Sequence, residues 1–536
     1  MNLIATPEGT RDRLFAQCRA LRGAQRKLTG LFQDRGYEEI STPEVEYYDL
    51  FLQSGNPIPQ ETMLKIVDRS GKLMVMRPDC TTPIARVVST KLRGMPLPQR
   101  LYYNETVFRS PTAHRGGSSE IPQCGIELLG ECGVAADVEA VSLAVEALRA
   151  VCPQGFTVEL GHAGLFRALA GGLALSDTQT EELRGLIEGK YFAALDDFLA
   201  PFRGRPGWEA LSRLPRLFGG EEVLDEAETL TGPREEVRYL RELGAALKAV
   251  GCGDYIRFDL GQVHQIDYYT GVVFRGYARG AGAPVLSGGR YDNLLGAFGR
   301  PAGAVGFAVY VDLVSGGALA PVEEKRLRLA LTKGRLQDQT VALLERAGLD
   351  CSPVKDPGRR LIHHLPNYPL DAVLAKAADV ITYVEHGVCD LGVVGKDTIL
   401  ERGESPFYEV LDLGFGKCRF ALAVKEGSDF YGGYQTRRVA TKYPAVARAF
   451  FDKKGMDVEI IKIEGSVELA PILGLADGIV DIVETGATLR ENGLTPIEDV
   501  AQVSARLIVN TAAMKLYKAE IEDLITKCRR ELERGI

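Results

Sequence analysis

The sequence has little of what marks an exported, membrane-bound or metal-binding protein. No apolar run approaches the roughly 20 residues that a membrane-spanning helix needs, and the first residues lack the basic stretch and apolar core of a signal peptide. The ten cysteines include no CxxC pair, and the six histidines form no cluster with metal-ligand spacing. We therefore expect reduced thiols, no protein-bound metal site, no contact with a membrane and a cytoplasmic location.

The chain also lacks an excess of positive charge. The chain has 64 Lys and Arg residues against 72 Asp and Glu residues, a formal net charge of -8. This balance argues against a nucleic-acid partner, so any polyanionic ligand must be held by a few locally placed basic residues. With 536 residues the chain is too long for one hydrophobic core, and we expect two or more domains.

The pattern of residues 1–314 predicts an α+β domain. A first helix is indicated by apolar residues at helical spacing, and strand-like runs such as "QRLYYNETVFRS" then alternate with turns, which favours an antiparallel sheet. Residues 164–251 are rich in Leu and Ala and are predicted to form a helical insertion that contains Trp208. The apolar positions of the first helix are Leu14, Phe15, Cys18, Leu21, Leu28, Leu31 and Phe32.

A change of rhythm follows residues 315–325, whose small residues, proline and charges predict a linker. In residues 326–536, short apolar strands alternate with helical segments, the pattern of parallel α/β sheets. We expect a doubly wound domain of two lobes with its ligand in the cleft between them. The last 25 residues place apolar side chains on one face and predict a helix that docks on this domain.

The segment "GIVDIVETGATL", residues 478–489, predicts a buried strand, a glycine-bearing turn and the start of a helix. Such a turn presents backbone N–H groups and hydroxyls to one point, where the helix dipole also favours negative charge, so it can bind a phosphate. The alternative interpretation is a plain strand-to-helix turn in which Thr485 or Thr488 caps the helix.

The wider string resembles the ATP phosphoribosyltransferase family, and the resemblance covers about residues 325–536. It implies a two-lobed fold like that of periplasmic binding proteins, in the short form of the catalytic subunit. It also implies the first step of histidine biosynthesis, in which ATP and phosphoribosyl pyrophosphate (PRPP) give phosphoribosyl-ATP and pyrophosphate. The residues that carry it are Glu468, Gly474, Ala476, Ile479, Asp481, Thr485, Gly486, Thr488 and Leu489.

The resemblance assigns roles within the second half. Arg335 and Arg359 are implied as the catalytic arginines that face the pyrophosphate and the ATP phosphates, together with Mg²⁺. We infer that Asp481 or Glu484 accepts hydrogen bonds from the ribose hydroxyls. The remaining PRPP and ATP contacts are expected from Lys333, Thr485, Gly486, Ala487 and Thr488.

Three other polar residues nearby are interpreted differently. We interpret Lys355 and Arg360 as solvated surface charges and His386 as a helix-end residue, and we leave all three out of the catalytic set. The reaction needs no side-chain nucleophile, since adenine N1 carries its own lone pair. Positioning and electrostatic stabilisation of the leaving group should therefore supply most of the rate.

The first half resembles the catalytic core of histidyl-tRNA synthetases through segments such as "MRPDCTTPIAR", "QCGIELLG", "IDYYTGVVF" and "GGRYDNLL". Two arginines of that family are replaced, by His264 and Leu313, and no anticodon-binding domain follows, so amino-acid activation should be lost. The histidine pocket remains by this resemblance, as in the regulatory subunit of short-form ATP phosphoribosyltransferase. Its expected residues are Asp79, Thr81, Gln123, Glu127, Tyr268 and Tyr269.

Together the two resemblances predict regulatory and catalytic subunits in one polypeptide. The expected partners are ATP, PRPP and L-histidine as allosteric inhibitor. A homotetramer is expected, because the family's separate subunits assemble as four plus four. Two alternatives stay open at this point: an active synthetase with an unrelated second domain, and a two-lobed solute receptor.

Overall fold

The computed structural model describes most of the chain as two units, Met1–Glu323 and Glu324–Ile536. The linker predicted at residues 315–325 lies outside the described residues except for Ser315. Tyr268 of the predicted histidine pocket and His264, which was predicted to replace a synthetase arginine, also lie outside them. No described helix is long and apolar enough to cross a membrane. The described residues are 6–53, 58–110, 118–263, 269–315, 326–356, 358–403 and 407–534.

The first unit is built on a large sheet covered by helices. Its strands are β1 (Glu38–Glu39), β2 (Val45–Tyr47), β3 (Lys65–Val67), β4 (Leu73–Met76), β5 (Gln99–Phe108), β6 (Glu120–Leu129), β7 (Phe156–His162), β8 (Phe218–Gly219), β9 (Ile256–Asp259), β10 (Val272–Ala278), β11 (Leu286–Arg290) and β12 (Ala304–Tyr310). Its helices are α1 (Ala16–Asp34), α2 (Tyr48–Gln53), α3 (Thr81–Ser89), α4 (Val134–Val151), α5 (Ala163–Ala170), α6 (Asp177–Glu188), α7 (Phe192–Leu199), α8 (Trp208–Arg213), α9 (Glu222–Thr231), α10 (Glu235–Ala249), α11 (Leu294–Ala297) and α12 (Val311–Ser315).

The described strands of this unit form a nine-stranded sheet in the order β1-β5-β6-β12-β11-β10-β7-β9-β8, while β2, β4 and β3 make a separate small sheet. The pairs in the large sheet are antiparallel except β1 with β5 and β7 with β9. Helices α1 and α4 pack on β6, where Leu28 and Phe32 are fully buried. The antiparallel α+β arrangement predicted from the sequence is thus confirmed in its main features.

The first helix is shorter than predicted. It begins at Ala16, after Phe15 adopts a φ of 43°, a region that non-glycine residues seldom occupy. Leu14 and Phe15 therefore lie outside the helix and are 58% and 78% exposed, and Cys18 is also exposed. The apolar residues keep helical spacing back to Leu14, but the backbone becomes helical only at Ala16. Apolar spacing alone does not reveal this limit.

The second unit contains two sheets. Its strands are β13 (Leu327–Thr332), β14 (Ile362–His364), β15 (Leu370–Ala375), β16 (Leu391–Gly395), β17 (Phe407–Asp412), β18 (Cys418–Lys425), β19 (Arg437–Thr441), β20 (Val458–Lys462), β21 (Gly478–Val483), β22 (Leu494–Val503) and β23 (Ala505–Asn510). Its helices are α13 (Arg335–Arg346), α14 (Ser352–Lys355), α15 (Ala377–Glu385), α16 (Lys396–Arg402), α17 (Pro444–Lys453), α18 (Leu469–Ile472), α19 (Ala487–Glu491), α20 (Thr511–Leu516) and α21 (Lys518–Arg534).

The strand order in the described residues is β14-β15-β13-β16-β23-β17 in one sheet and β20-β19-β21-β18-β22 in the other. Two lobes are present, but their sheets are mixed and the expectation of parallel sheets was wrong. Among the strands described in this unit, the parallel pairs are β13 with β15, β13 with β16, β19 with β20 and β19 with β21. The chain leaves the first sheet after β17 and returns to it as β23, which pairs antiparallel with β16 and β17. In the other sheet, β22 pairs antiparallel with β18.

The predicted docking helix at the C-terminal end is confirmed. Helix α21 buries Ile521, Leu524, Ile525 and Cys528 and packs on α13 and β17. Leu516, which the sequence placed on the same helix, ends the preceding α20 instead.

A buried ion pair ties α4 to β11 in the first unit. The Arg290 guanidinium donates to Asp137 Oδ1 from Nε at 2.9 Å and from Nη2 at 2.5 Å, and the two side chains are 6% and 0% exposed. The Arg290 side chain also pairs with Asp292. Asp137→Ala leaves the buried guanidinium without its main acceptor, so we expect a loss of about 3–5 kcal/mol in the free energy of unfolding.

Fluorescence of Trp208, the chain's one tryptophan, measures this loss during urea unfolding of the first unit. Glu235→Ala is the matched control, because its 3.9 Å pair with Arg238 is almost fully exposed and should contribute less than about 1 kcal/mol. Equal effects of the two substitutions would contradict the assignment.

Candidate functional site

The turn after β21 has the strand-turn-helix order predicted from the sequence. Glu484 and Thr485 are exposed, and Gly486 has a φ of 71°. An L side chain there would be strained, and its Cβ would approach Arg490 Nη1 to 3.2 Å, so glycine is required at this point. Helix α19 begins at Ala487 and exposes Thr488.

Two details of this turn bear on the prediction that it binds a phosphate. Helix α19 has only five residues, so most of the attraction for an anion must come from the local N–H groups rather than from a long helix dipole. The Thr485 hydroxyl accepts a 3.4 Å hydrogen bond from the Ala487 N–H, which is the capping role of the alternative interpretation. The hydroxyl of Thr485 therefore has a structural partner within the turn.

A second turn, between β13 and α13, comes next to the first one. Arg335 Nη1 donates to Glu484 Oε1 at 3.0 Å, and this ion pair joins the end of one sheet to the end of the other. Both side chains are more than half exposed. The N–H of Lys333 donates to Ala375 O at 2.9 Å, which fixes the turn while the residue stays exposed. The structure thus brings Lys333, Arg335 and the 484–488 turn into one area.

Asp481 lies on β21 just before that turn and is half-buried. Its Oδ1 accepts a 2.8 Å hydrogen bond from the Ile482 N–H. Burial raises the pKa of Asp481, the Glu468 carboxylate raises it further, and Lys442 opposes both. A carboxylate in this setting is ready to accept hydrogen bonds from a ligand hydroxyl.

Arg359 lies on an exposed turn between α14 and β14. This turn comes at the same end of the sheet as Lys333, because β14 pairs with the end of β15, where the Lys333 N–H also donates. Within the described ranges no hydrogen bond or ion pair joins Arg359 to Arg335 or the 484–488 turn. Lys355 pairs with Glu345 at 2.6 Å on the surface, and Arg360 is exposed. His386 directly follows α15 as its C-terminal cap, so it lies at a helix end as predicted.

In the first unit, Glu127 of the predicted histidine pocket is a buried carboxyl group with hydrogen-bond partners on other elements. It lies on β6 and is 1% exposed. Its Oε1 accepts from Thr81 Oγ1 at 2.7 Å, and its Oε2 accepts from the Tyr291 hydroxyl. Burial raises the pKa of Glu127 to about 8, while the two hydroxyls lower it and the Asp79 carboxylate raises it.

Three other predicted pocket residues are described in the first unit. The Asp79 carboxylate accepts from the Thr82 N–H at 2.7 Å at the start of α3. Gln123 is buried four positions before Glu127 on the same strand. Tyr269 is buried in the same apolar cluster as Tyr291.

Tyr291 is a pocket residue that the sequence analysis missed. Its signal was present, because it belongs to the segment "GGRYDNLL" that carries the resemblance. Two glycines on the neighbouring strands β11 and β12 leave space for the side chains of Glu127 and Tyr269. A Cβ at Gly306 would come within 1.9 Å of Glu127 Oε2, and one at Gly289 within 2.7 Å of Tyr269 Cε1.

Two further features concern function. Leu313, which stands where the synthetase family has an arginine, packs against the core of the first unit. Among the described residues, no group of three His, Cys, Asp or Glu side chains could hold a metal ion.

Comparison with known proteins gives matches to both halves. The family model for histidyl-tRNA synthetase matches residues 9–314, more than half of the chain, and the model for ATP phosphoribosyltransferase matches residues 376–530. The ATP phosphoribosyltransferase of Clostridium kluyveri is 59% identical over 216 residues, which are 40% of this chain and 98% of the relative. The ATP phosphoribosyltransferase regulatory subunit of Clostridium acetobutylicum is 41% identical over 312 residues, 57% of this chain and 77% of the relative.

Two solved structures of similar proteins resemble this chain in fold. An ATP phosphoribosyltransferase regulatory subunit/histidyl-tRNA synthetase from Bacillus halodurans superposes with a TM-score of 0.55 at 29% identity, covering 70% of this chain and 94% of the other. A histidine–tRNA ligase subunit from Alicyclobacillus acidocaldarius gives a TM-score of 0.52 at 28% identity, covering 60% and 98%.

The raised pKa of Glu127 predicts a pH-dependent stability. The pKa is about 8 in the folded chain against an ordinary value of 4.5, so the protonated form is the one that folding favours. Its contribution is complete below about pH 4.5 and is lost as the pH rises through about 8. Relative to Glu127→Gln, the parent should lose up to about 5 kcal/mol over this range, measured by Trp208 fluorescence in urea. A difference that does not change with pH would show that Glu127 is ionised in the folded pocket.

Proposed function

Because the chain belongs to the histidyl-tRNA synthetase family through residues 9–314 and to the ATP phosphoribosyltransferases through its second half, we propose that one polypeptide both performs and controls phosphoribosyl transfer. The chain is an ATP phosphoribosyltransferase, and its synthetase-like domain is homologous to the regulatory subunit of that enzyme. The observation that carries the site is the Arg335–Glu484 contact, since it brings the two predicted phosphate-binding turns together.

PRPP would bind across these two turns. The N–H groups of residues 485–488, including Gly486 and Ala487, would hold its 5-phosphate, with the Thr488 hydroxyl exposed beside them. Asp481 or Glu484 would accept hydrogen bonds from the ribose hydroxyls. Lys333 and Arg335, exposed on the other turn, would face the pyrophosphate.

The chemistry is a displacement at the anomeric carbon of PRPP. Adenine N1 of ATP donates its lone pair to form the new C–N bond, and the C–O bond to pyrophosphate breaks with its electron pair on the leaving oxygen. No proton has to leave N1 first, so the site needs no general base. What the chain must supply is alignment of the two substrates and positive charge near the departing oxygen.

Mg²⁺ fits this site as a companion of the substrate. A small hard cation of this kind is usually held by one or two carboxylates and by substrate phosphates rather than by a complete protein cage. Asp481 and Glu484 are the carboxylates that we propose for that role. When bound, the ion supplies charge neutralisation for the leaving pyrophosphate.

The pocket around Glu127 would bind L-histidine. A buried carboxylate whose hydrogen-bond partners are hydroxyls suits the α-ammonium group, and Asp79 adds a second negative charge close to it. Thr81, Gln123, Tyr268 and Tyr269 complete the proposed contacts. Histidine bound there would inhibit the transfer in the other unit, and the inhibition would be allosteric because the two sites belong to separate units.

Further features of the proposal come from family resemblance. The two-lobed second unit, with its two sheets, supports a fold like that of periplasmic binding proteins. A homotetramer, equivalent to four regulatory and four catalytic subunits, and a cytoplasmic location remain predictions. The alternative of an active synthetase is disfavoured by the apolar packing of Leu313. Histidine-dependent ATP–pyrophosphate exchange would support that alternative.

The active-site assignment is tested by two substitutions. Arg359→Ala should lower kcat by roughly 10²- to 10³-fold, the scale for removing one preorganised charge from the leaving group. Thr488→Ala should chiefly raise the KM for PRPP. Both are measured by the absorbance of phosphoribosyl-ATP with ATP, PRPP and Mg²⁺.

Arg360→Ala is the control, since that residue is exposed on the same turn and has no proposed role. A kcat in the Arg359 variant equal to that of the Arg360 variant would remove Arg359 from the site.

Feedback control is tested at Glu127. Glu127→Gln keeps the size of the side chain and removes the charge that would pair with the ammonium group, so inhibition by L-histidine should be lost while uninhibited synthesis stays near normal. Gln123→Ala provides a second variant that leaves the carboxylate in place and should weaken inhibition less. Full sensitivity of the Glu127 variant, with histidine binding unchanged in calorimetry, would move the inhibitor site elsewhere.

A further inference from the structure

The second unit consists of two lobes that are joined by two short connections. We call the sheet containing β13–β17 and β23, with its helices, the first lobe, and the sheet containing β18–β22 the second lobe. The chain passes between them at residues 413–417 and at Ser504. Two lobes connected in this way can open and close about the connections unless another contact fixes their angle.

Helix α16 of the first lobe supplies such a contact. It packs against α17 of the second lobe, and its Leu400 packs against the apolar cluster that contains Phe420 and Phe451. The next residue, Glu401, makes the polar part of the contact. Its Oε2 accepts hydrogen bonds from the N–H groups of Ala445 at 3.0 Å and Val446 at 3.2 Å, in the first turn of α17.

The Glu401 carboxylate therefore acts as a helix cap supplied by the other lobe. The first N–H groups of a helix have no partner within it, and a carboxylate there also interacts favourably with the helix dipole. Tyr443, which precedes α17, packs edge-on against Phe420 with ring centres 4.8 Å apart and faces Asp397 on α16. Apolar and polar contacts at this place thus fix α16 on α17 together.

The same two lobes carry the two halves of the proposed active site. Arg335 belongs to the first lobe and the 484–488 turn to the second. Their own contact, Arg335 with Glu484, is exposed and is an ion pair of the kind that contributes little to stability. Something other than this pair must hold the turns side by side.

We propose that Glu401 is a positioning residue for phosphoribosyl transfer, which holds the two lobes at the angle that PRPP requires by capping α17 across the cleft. It does not touch the substrate. PRPP needs the phosphate-binding turn of one lobe and the basic turn of the other at the same time, so its apparent affinity depends on the fraction of molecules with the lobes closed. The inference rests on the proposed PRPP site.

Removing the cap should weaken PRPP binding more than it slows the chemistry. Glu401→Ala is expected to raise the KM for PRPP by roughly 2- to 30-fold, the range that corresponds to loss of a helix cap. At saturating PRPP the substrate itself closes the lobes, so kcat should stay within about twofold of the parent. Glu401→Gln keeps an oxygen acceptor for the α17 N–H groups and should restore most of the lost affinity.

Asp429→Ala is the matched control. The Asp429 carboxylate also accepts from a backbone N–H, that of Gly432 at 2.9 Å, but both residues belong to the second lobe. This variant removes a comparable hydrogen bond without touching the contact between lobes, so its KM for PRPP should remain at the parent value. Thermal unfolding of all three variants would show whether a change in KM merely follows a change in stability.

The outcomes separate this inference from the site assignment. A raised KM in Glu401→Ala, with kcat maintained and rescue by Gln, supports the positioning role. An unchanged KM in Glu401→Ala overturns it, whatever Thr488→Ala does. If Thr488→Ala then raises the KM for PRPP, the proposed site stands without the cap; if it does not, the site assignment fails as well. Equal losses in the Glu401 and Asp429 variants would also contradict the proposal.

Discussion

Keeping a carboxylate away from water inside a β-sheet is the constraint on which the first unit depends. Glu127 and Asp137 are both almost fully buried, but their surroundings differ. Asp137 meets the Arg290 guanidinium, so its charge is neutralised within the fold. Both hydrogen bonds that the described residues give Glu127 come from hydroxyls, and the nearest charge that affects it is the carboxylate of Asp79. Among the described residues no cation affects Glu127, so the site favours a cation that a ligand would bring.

This difference explains why the Asp137 carboxylate is suited to stabilising the fold and the Glu127 carboxylate to binding a ligand. A buried ion pair such as Asp137–Arg290 is complete, and a ligand could only disrupt it. Burial makes ionisation of a carboxyl group unfavourable and so raises its pKa. An ammonium group that binds beside it makes ionisation favourable. Binding of such a ligand would lower the pKa of Glu127 and release its proton. The glycines at 289 and 306 matter here because they allow the side chains to come this close to the sheet.

In the second unit, the strengths of two contacts between the lobes agree with the roles that we propose for them. The Arg335–Glu484 pair is exposed and weak, so a phosphate group can replace the carboxylate as the partner of the guanidinium without a large cost. The contact of α16 with α17 combines a half-buried leucine with two hydrogen bonds to helix N–H groups, so it can persist while substrates exchange. The stable contact between the lobes, α16 with α17, and the exchangeable contact in the proposed site, Arg335 with Glu484, are thus made by different residues.

The sequence predicted what local pattern determines and missed what depends on distant segments. The 478–489 segment forms the predicted strand, turn and helix, because each step is encoded by adjacent residues. The mixed sheets were missed, since the antiparallel pairing of β23 depends on a chain that has passed through the other lobe and returned. Tyr291 was missed as a pocket residue although its segment was noted, because its contact with Glu127 joins residues 164 positions apart. Glu401 gave no signal at all, since an acid followed by "RGE" resembles any charged helix end.

Joining both families in one chain has a physical consequence for control. Separate subunits must associate before a regulatory pocket can affect a catalytic site, so the response of the enzyme depends on their concentrations. A short covalent connection replaces that association with an effective concentration on the order of millimolar and fixes one pocket for each site. If histidine then changes PRPP affinity, linkage requires PRPP to change histidine affinity by the same factor. In the second unit, the element able to take part in such coupling is the angle between lobes, because that angle determines whether the two phosphate-binding turns can act on one substrate.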